Sequence, residues 1–305
     1  MATVRLRRPR RPLAVDARPL VAIGSAAVLI LTLALAPSAS SASASSLFSS
    51  LSTPGRIGFI AAHRGGQDTL PENTLAAFQR AIESGVEVLE TDVQLTSDGV
   101  PVLIHDWTLD RTTNGSGPVW NIDFETLRTL DAGQGQTVPT LTEFLDLLAP
   151  SGRRAMIELK GAWTPEQARL VTDQIADFGL GQRVLLASFD IVTLAGLQEV
   201  APSIPRLVIA RRVLTDPQIL ADRTGAIGIV TSRTFLESDP GAVDRIHAAG
   251  LGVLIYTLND EDTWQRAVEL GVDGIITDRA ARLSSWLAER AAEAAAESQG
   301  MDSGS

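Results

Sequence analysis

From residue 56 onward, short apolar runs alternate with amphipathic stretches, and no other feature of the chain restricts its fold as much. Runs compatible with strands occupy 57–62, 86–95, 100–105, 154–159, 183–188, 205–210, 226–231, 252–257 and 273–277. Helix-period patterns fill 73–84, 140–148, 165–178, 190–199, 238–248 and 260–269, between most of those runs. Parallel strands must be joined by crossovers, and these helical stretches supply them. Strand-then-helix order repeated this often predicts an α/β chain closed as a TIM-type (β/α)8 barrel over residues 56–290.

Nine strand runs compete for eight places. The runs ending at Leu95 and starting at Val100 are separated only by Thr96-Ser97-Asp98-Gly99, too little for a crossover helix. Asp-Gly between apolar runs is a hairpin signal, so an early antiparallel β-hairpin is expected to interrupt the barrel and absorb the surplus strand. From Ala280 the pattern reads as a closing helix, fading into a flexible polar tail over 291–305.

Residues 1–44 do not belong to that pattern. Six Arg precede a 17-residue apolar run, Leu20 to Ala36, and Ala42-Ser43-Ala44 offers a small-x-small cleavage site. This is the layout of an export signal, followed by a linker over 45–55. An uncleaved anchor is the alternative, and membrane association is expected only through this segment if it is retained. The mature chain is thus expected to be exported: secreted, periplasmic or associated with the cell envelope. The first 44 residues carry +5, leaving −15 for the rest of a chain whose net charge is −10. A body that acidic repels polyanions and disfavours a nucleic-acid partner. The absence of cysteine rules out disulfides, thiolate metal sites and a cysteine nucleophile.

The chain has three histidines. His63 and His105 directly follow strand runs, where an α/β barrel carries its active site. His247 sits near the end of a helical stretch and reads as a surface or capping residue. Glu90 and Asp92, two apart in a strand, point to one face, and the hairpin brings them near His105. Glu158 belongs to a later strand run. Three carboxylates from two strands form a hard oxygen site suited to one divalent cation, Ca2+ or Mg2+. A buried ion-pair network through Lys160 and Arg64 is the alternative. Lys160 is the only lysine beside 25 arginines, and its compact ammonium suits a phosphoryl oxygen. Arg64, followed by Gly65-Gly66, suits a second phosphate contact. Two histidines, two cations and a carboxylate-held metal together point to metal-assisted phosphoester hydrolysis.

Seven short motifs occur in order: Ala62-His63-Arg64-Gly65-Gly66, Leu70-Pro71-Glu72-Asn73-Thr74, Glu90-Thr91-Asp92-Val93, His105-Asp106, Glu158-Leu159-Lys160, Thr257-Leu258-Asn259 and Asp273-Gly274-Ile275-Ile276-Thr277-Asp278. In this the chain resembles the glycerophosphodiester phosphodiesterase family over roughly residues 57 to 287. The resemblance implies a barrel that hydrolyses small glycerophosphodiesters to glycerol 3-phosphate and an alcohol. It implies His63 and His105 as the catalytic pair, Glu90, Asp92 and Glu158 as metal ligands, and Arg64 and Lys160 as phosphate contacts. Glu72 is expected to support the substrate site, and Asn73 either to do the same or to cap the helix over 74–84. Asp273 and Asp278 are expected to be structural. Tyr256 stands where Trp commonly precedes the Thr-x-Asn stretch, which bears on headgroup preference. Phe189, Trp107 and Trp163 follow strand ends and either line the pocket or pack the core. The short 106–138 segment predicts an open mouth tolerant of several headgroups. Two rival readings follow from the same residues: a phospholipase C- or D-like enzyme on intact lipids, for which the sequence shows no obvious apolar loop, and an exported non-catalytic protein that binds a phosphate ligand.

Overall fold

The structure of the chain is a computed structural model and describes residues 57–66, 68–213 and 216–302. The expected export signal over 1–44 and linker over 45–55 lie outside the described residues. Nine strands form one sheet: β1 (Phe59–Ala62), β2 (Val88–Leu95), β3 (Pro101–Leu103), β4 (Arg154–Leu159), β5 (Val184–Ser188), β6 (Arg206–Ala210), β7 (Ala226–Ser232), β8 (Gly252–Tyr256) and β9 (Gly274–Thr277). Apart from β3, neighbouring strands are parallel, in the order β1-β9-β8-β7-β6-β5-β4-β2. Ala61 and Ala62 pair in turn with Val88 and Leu89, which closes the ring as an eight-stranded barrel.

The surplus strand resolves as the hairpin signal predicts. Strand β2 outruns its partner β1, and its end pairs antiparallel with β3, Val93 against Leu103 and Leu95 against Pro101. Thr96 tightens the turn, donating to Asp98 Oδ1 and accepting from Val100 N. This carries the chain back along the rim and delivers His105 beside the carboxylate end of β2.

Ten helices are described: α1 (Leu75–Glu83), α2 (Phe124–Leu127), α3 (Leu141–Ser151), α4 (Pro165–Asp177), α5 (Ile191–Val200), α6 (Pro217–Thr224), α7 (Arg233–Ser238), α8 (Ala242–Ala248), α9 (Glu261–Leu270) and α10 (Ala280–Asp302). Helix α10 runs on into the stretch expected to be a tail. None of the described helices is long and apolar enough to cross a membrane. Local chemistry sets their starts: Thr140 and Thr164 form capping boxes with Glu143 and Gln167, and Asp190 and Asp260 cap α5 and α9.

Three details differ from the expected helices, the first being the short α2, which no helix-period pattern announced. The expected helix 238–248 starts only at Ala242, as α8, because Pro240 keeps Asp239 out of the helical region, and an unexpected short helix, α7, ends just ahead of it at Ser238. Helix α6 was not expected, and its weak amphipathic pattern accounts for that, since it buries only Leu220 and Thr224.

Apolar side chains fill two layers. Phe59, Ala61, Val88, Met156, Ala187, Leu207, Ile209, Leu254 and Ile276 pack inside the ring. The opposite faces of the same strands, among them Leu89, Ile157, Leu186, Val208 and Ile275, pack under the helices. A third, smaller cluster of Val102, Ile104, Leu109, Val119, Leu127, Ala132 and Val138 organises the 106–138 segment over the hairpin.

Candidate active site

Side chains alternate along a strand, so the inward positions of each strand are set by its packed layer. Two residues beyond that layer the sequence turns polar. Val88 leads to Glu90 and Asp92, Met156 to Glu158, Ala61 to His63, Ala187 to Phe189, Ile209 to Arg211 and Leu254 to Tyr256. These polar and aromatic positions line a cavity of about 840 Å³ at the C-terminal end of the barrel, together with Arg64, His105, Asp106, Trp107 and Lys160.

The acidic group lies at its base. One oxygen from each of Glu90, Asp92 and Glu158 falls within 4.8 Å of the others. All three are buried, Asp92 to 1% exposure. Burial, reinforced by the charge of Asp92, pushes the Glu90 carboxyl up to about 7 and that of Glu158 up to about 8. Asp92 is held below its ordinary range in spite of burial, because Lys160 and Arg64 face it and Asn73 donates to it. Lys160 Nζ lies 3.0 Å from Glu158 Oε1 and 3.5 Å from Asp92 Oδ1. Two strained carboxyls beside a third, all oxygen donors, form a donor set that fits one hard divalent cation. Such a cation would relieve the repulsion that the two local cations leave uncompensated.

His63 follows β1 and His105 follows β3, and each ring is held by a carboxylate. His63 Nδ1 lies 2.7 Å from Asp278 Oδ1, and Asn259 Nδ2 donates to the other oxygen of Asp278 at 2.6 Å. His105 Nδ1 lies 2.6 Å from Asp106 Oδ1. Their environments drive the two rings apart. Burial works against the charged form of His63, but the hydrogen bond to Asp278 and the charge of Glu90 outweigh it, and the pKa rises. At His105 burial prevails, and the pKa falls.

The backbone at His63–Gly65 is a tight 3-10 turn with Arg64 at φ 52 and Gly65 at φ 85. A Cβ on Gly65 would stand 2.9 Å from that of Ala77, so only glycine lets the turn lie against α1. This turn aims the Arg64 N–H at Glu90 Oε2, 2.8 Å away, and its guanidinium at Glu72, with Nη1 2.8 Å from Oε1.

Glu72 and Asn73 stand behind the cavity wall. Asn73 does not cap the helix. Thr74 does, accepting from Ala77 N, while Asn73 takes φ 54 and donates to Asp92 Oδ2 at 3.0 Å. Glu72 receives Arg64 and both terminal nitrogens of Arg111, and Arg111 also grips Asp106. One network therefore ties His105 to Arg64. Trp163 packs in the core, its Nε1 donating to Lys160 O, whereas Trp107 and Phe189 border the cavity. Asp273 is structural as expected, accepting from Val253 N and pairing with His247 at the other end of the barrel. Asp278 instead holds His63 in place. Sequence reasoning gave no role to Asp106, Arg111 or Arg211. For Arg211 a signal was available: it continues the inward alternation of β6.

The chain matches the model of the glycerophosphoryl diester phosphodiesterase family over residues 63–282. A glycerophosphodiester phosphodiesterase of Caldanaerobacter subterraneus is 34% identical over 228 residues, 72% of this chain and 93% of that protein. One from Bacillus altitudinis is 35% identical over 229 residues, with 72% and 94% covered. Among solved structures, an Oleispira antarctica phosphodiesterase in complex with the product sn-glycerol-3-phosphate superposes with a TM-score of 0.70 at 29% identity, covering 75% of this chain and 96% of that one.

Proposed function

Since the chain belongs to the glycerophosphoryl diester phosphodiesterase family, we propose that its cavity hydrolyses soluble glycerophosphodiesters to glycerol 3-phosphate and an alcohol, using His63 and His105 and one divalent cation, Ca2+ or Mg2+. The observation that carries this reading is the meeting of three buried carboxylates and two carboxylate-oriented imidazoles on one cavity. The glycerol 3-phosphate bound by the Oleispira relative supports the product class.

Glu90, Asp92 and Glu158 would hold the cation, which when bound neutralises phosphoryl charge and makes a neighbouring hydroxyl more acidic. Lys160 and Arg64 stand beside the same carboxylates, positioned for the remaining phosphoryl oxygens. With both Nδ1 atoms engaged by carboxylates, proton exchange falls to Nε2 of each ring. His105, the ring of lowered pKa, is the base that takes the proton from the attacking glycerol hydroxyl. His63, of raised pKa, is the acid that protonates the departing alcohol. The P–O bond to the alcohol breaks as the new one forms, leaving a cyclic phosphate. Water then opens the ring with the roles reversed.

The test is a metal-by-substrate turnover matrix with His63→Ala and His105→Ala. Each variant is expected to lose about 10²–10⁴ in rate while remaining folded. Wild-type turnover in either, or activity indifferent to chelation, would refute the reading. No turnover by wild type with any metal and substrate would instead favour a non-catalytic phosphate binder.

One observation favours activity on intact lipids as a second reading. Exposed apolar groups stand at and beside the cavity: Trp107 (49% exposed) and Phe189, both named from the sequence, line it, and Trp120 (53%), edge-on against Trp107, and Val192 after β5 add to them. Comparing micellar lipid with soluble diester as substrate separates the two. We further propose that residues 1–44 direct export, which the mass of the mature N-terminus would test.

A further inference from the structure

The wall formed by the ends of β5, β6 and β8 takes no part in the proton transfers. It consists of Phe189, Arg211 and Tyr256, with Ile209 and Val230 beneath. Phe189 and Tyr256 meet edge to face, their ring centroids 6.5 Å apart. Two aromatic rings beside a phosphate site are the beginning of a cage for a quaternary ammonium. Here the chain supplies its own cation: the Arg211 guanidinium lies over the Phe189 ring, 6.0 Å from its centroid. Among the described residues no carboxylate lies within ion-pair distance of Arg211. Asp190, which also lines the cavity, caps α5 by accepting from Thr193 N. The Tyr256 hydroxyl is shielded from solvent and lies within reach of the Arg211 charge.

Resting on the function proposed above, we propose that Phe189, Arg211 and Tyr256 form the subsite for the departing alcohol and select a polyol or anionic headgroup against a cationic one. Lys160 and Glu158 act electrostatically on Tyr256, so the wall adjoins the place where the phosphate sits. The glycerol arm must turn inward to offer its hydroxyl at the carboxylates. The other arm then points to the mouth, where Phe189 and Arg211 are exposed. A hydroxyl-rich headgroup meets the exposed Arg211 guanidinium, a donor, beside the Phe189 and Tyr256 rings. A choline headgroup meets a like charge already stacked on the ring that would have held it. Arg211 thereby narrows the tolerance that an open mouth alone would allow.

The experiment measures kcat/KM of the full chain on glycerophosphoglycerol and glycerophosphocholine, for wild type, Arg211→Gln and Arg211→Lys. Wild type is expected to prefer glycerophosphoglycerol by roughly tenfold, a modest ratio because an exposed charge is screened by water. Arg211→Gln should bring the two substrates close to parity, chiefly by gain on the choline ester, and Arg211→Lys should retain the preference. The wild-type ratio should also shrink as salt rises. Arg211→Gln with the wild-type ratio, or a wild type that favours the choline ester, would overturn the subsite. If wild type hydrolyses neither diester, the proposed function fails and the subsite with it.

Discussion

The two catalytic candidates are the same residue type at the same cavity, yet their surroundings assign them opposite tasks. Asp278, partnered by Asn259, holds His63 protonated above the ordinary histidine range, while burial keeps His105 below it. A base must be neutral to work and an acid must be charged. Turnover should therefore rise with pH through the lowered pKa of His105 and fall through the raised pKa of His63, giving a bell. Replacing Asp278 by Asn removes negative charge from His63, so its pKa drops and the alkaline limb of kcat/KM moves to lower pH. An alkaline limb unmoved in Asp278→Asn would dissociate it from His63. Histidines after strands and carboxylates two apart are legible in sequence because alternation places them. Their supports are not. Asp278 lies 215 positions from His63, and Arg111 lies 39 from Glu72, so only the closed ring reveals either contact.

At the level of elements, the strand pattern transferred almost intact, because buried parallel strands are continuous apolar runs that differ sharply from amphipathic helices. The hairpin was equally readable from Asp98-Gly99. What escaped was fine backbone geometry, as in the His63–Gly65 turn. That turn is held between β1 and α1, and its left-handed residues are tolerated because α1 packs directly against Gly65. Gly65→Ala should cost about 1–3 kcal/mol in denaturant unfolding, since it adds a clash to an unfavourable φ. It should also depress kcat, because the same displacement moves His63 and the Arg64 N–H. Full activity in a destabilised Gly65→Ala protein would show that the turn serves folding alone.

Across the whole molecule, the two ends of the barrel have different duties. The C-terminal end gathers charge that is costly to bury, while the opposite end is given over to closure. There Arg206, 5% exposed, donates to the carbonyls of Ala201, Ile204 and Thr224, fastening the turns on either side of β6. Arg206→Ala leaves those acceptors buried without a donor. It should cost about 2–3 kcal/mol, seen as a lower Tm, with kcat and KM as in wild type. A kinetic defect at unchanged Tm would contradict this division.

Strand β3 hangs from the outer margin of β2 and contributes no stave to the cylinder, so the ring of hydrogen bonds is complete without it. Beyond Arg111, which reaches back to Glu72, the stretch to Val138 is therefore carried by an outrigger rather than by the hull. Inserts grafted into that stretch would recast what reaches the reaction centre without disturbing the vessel beneath.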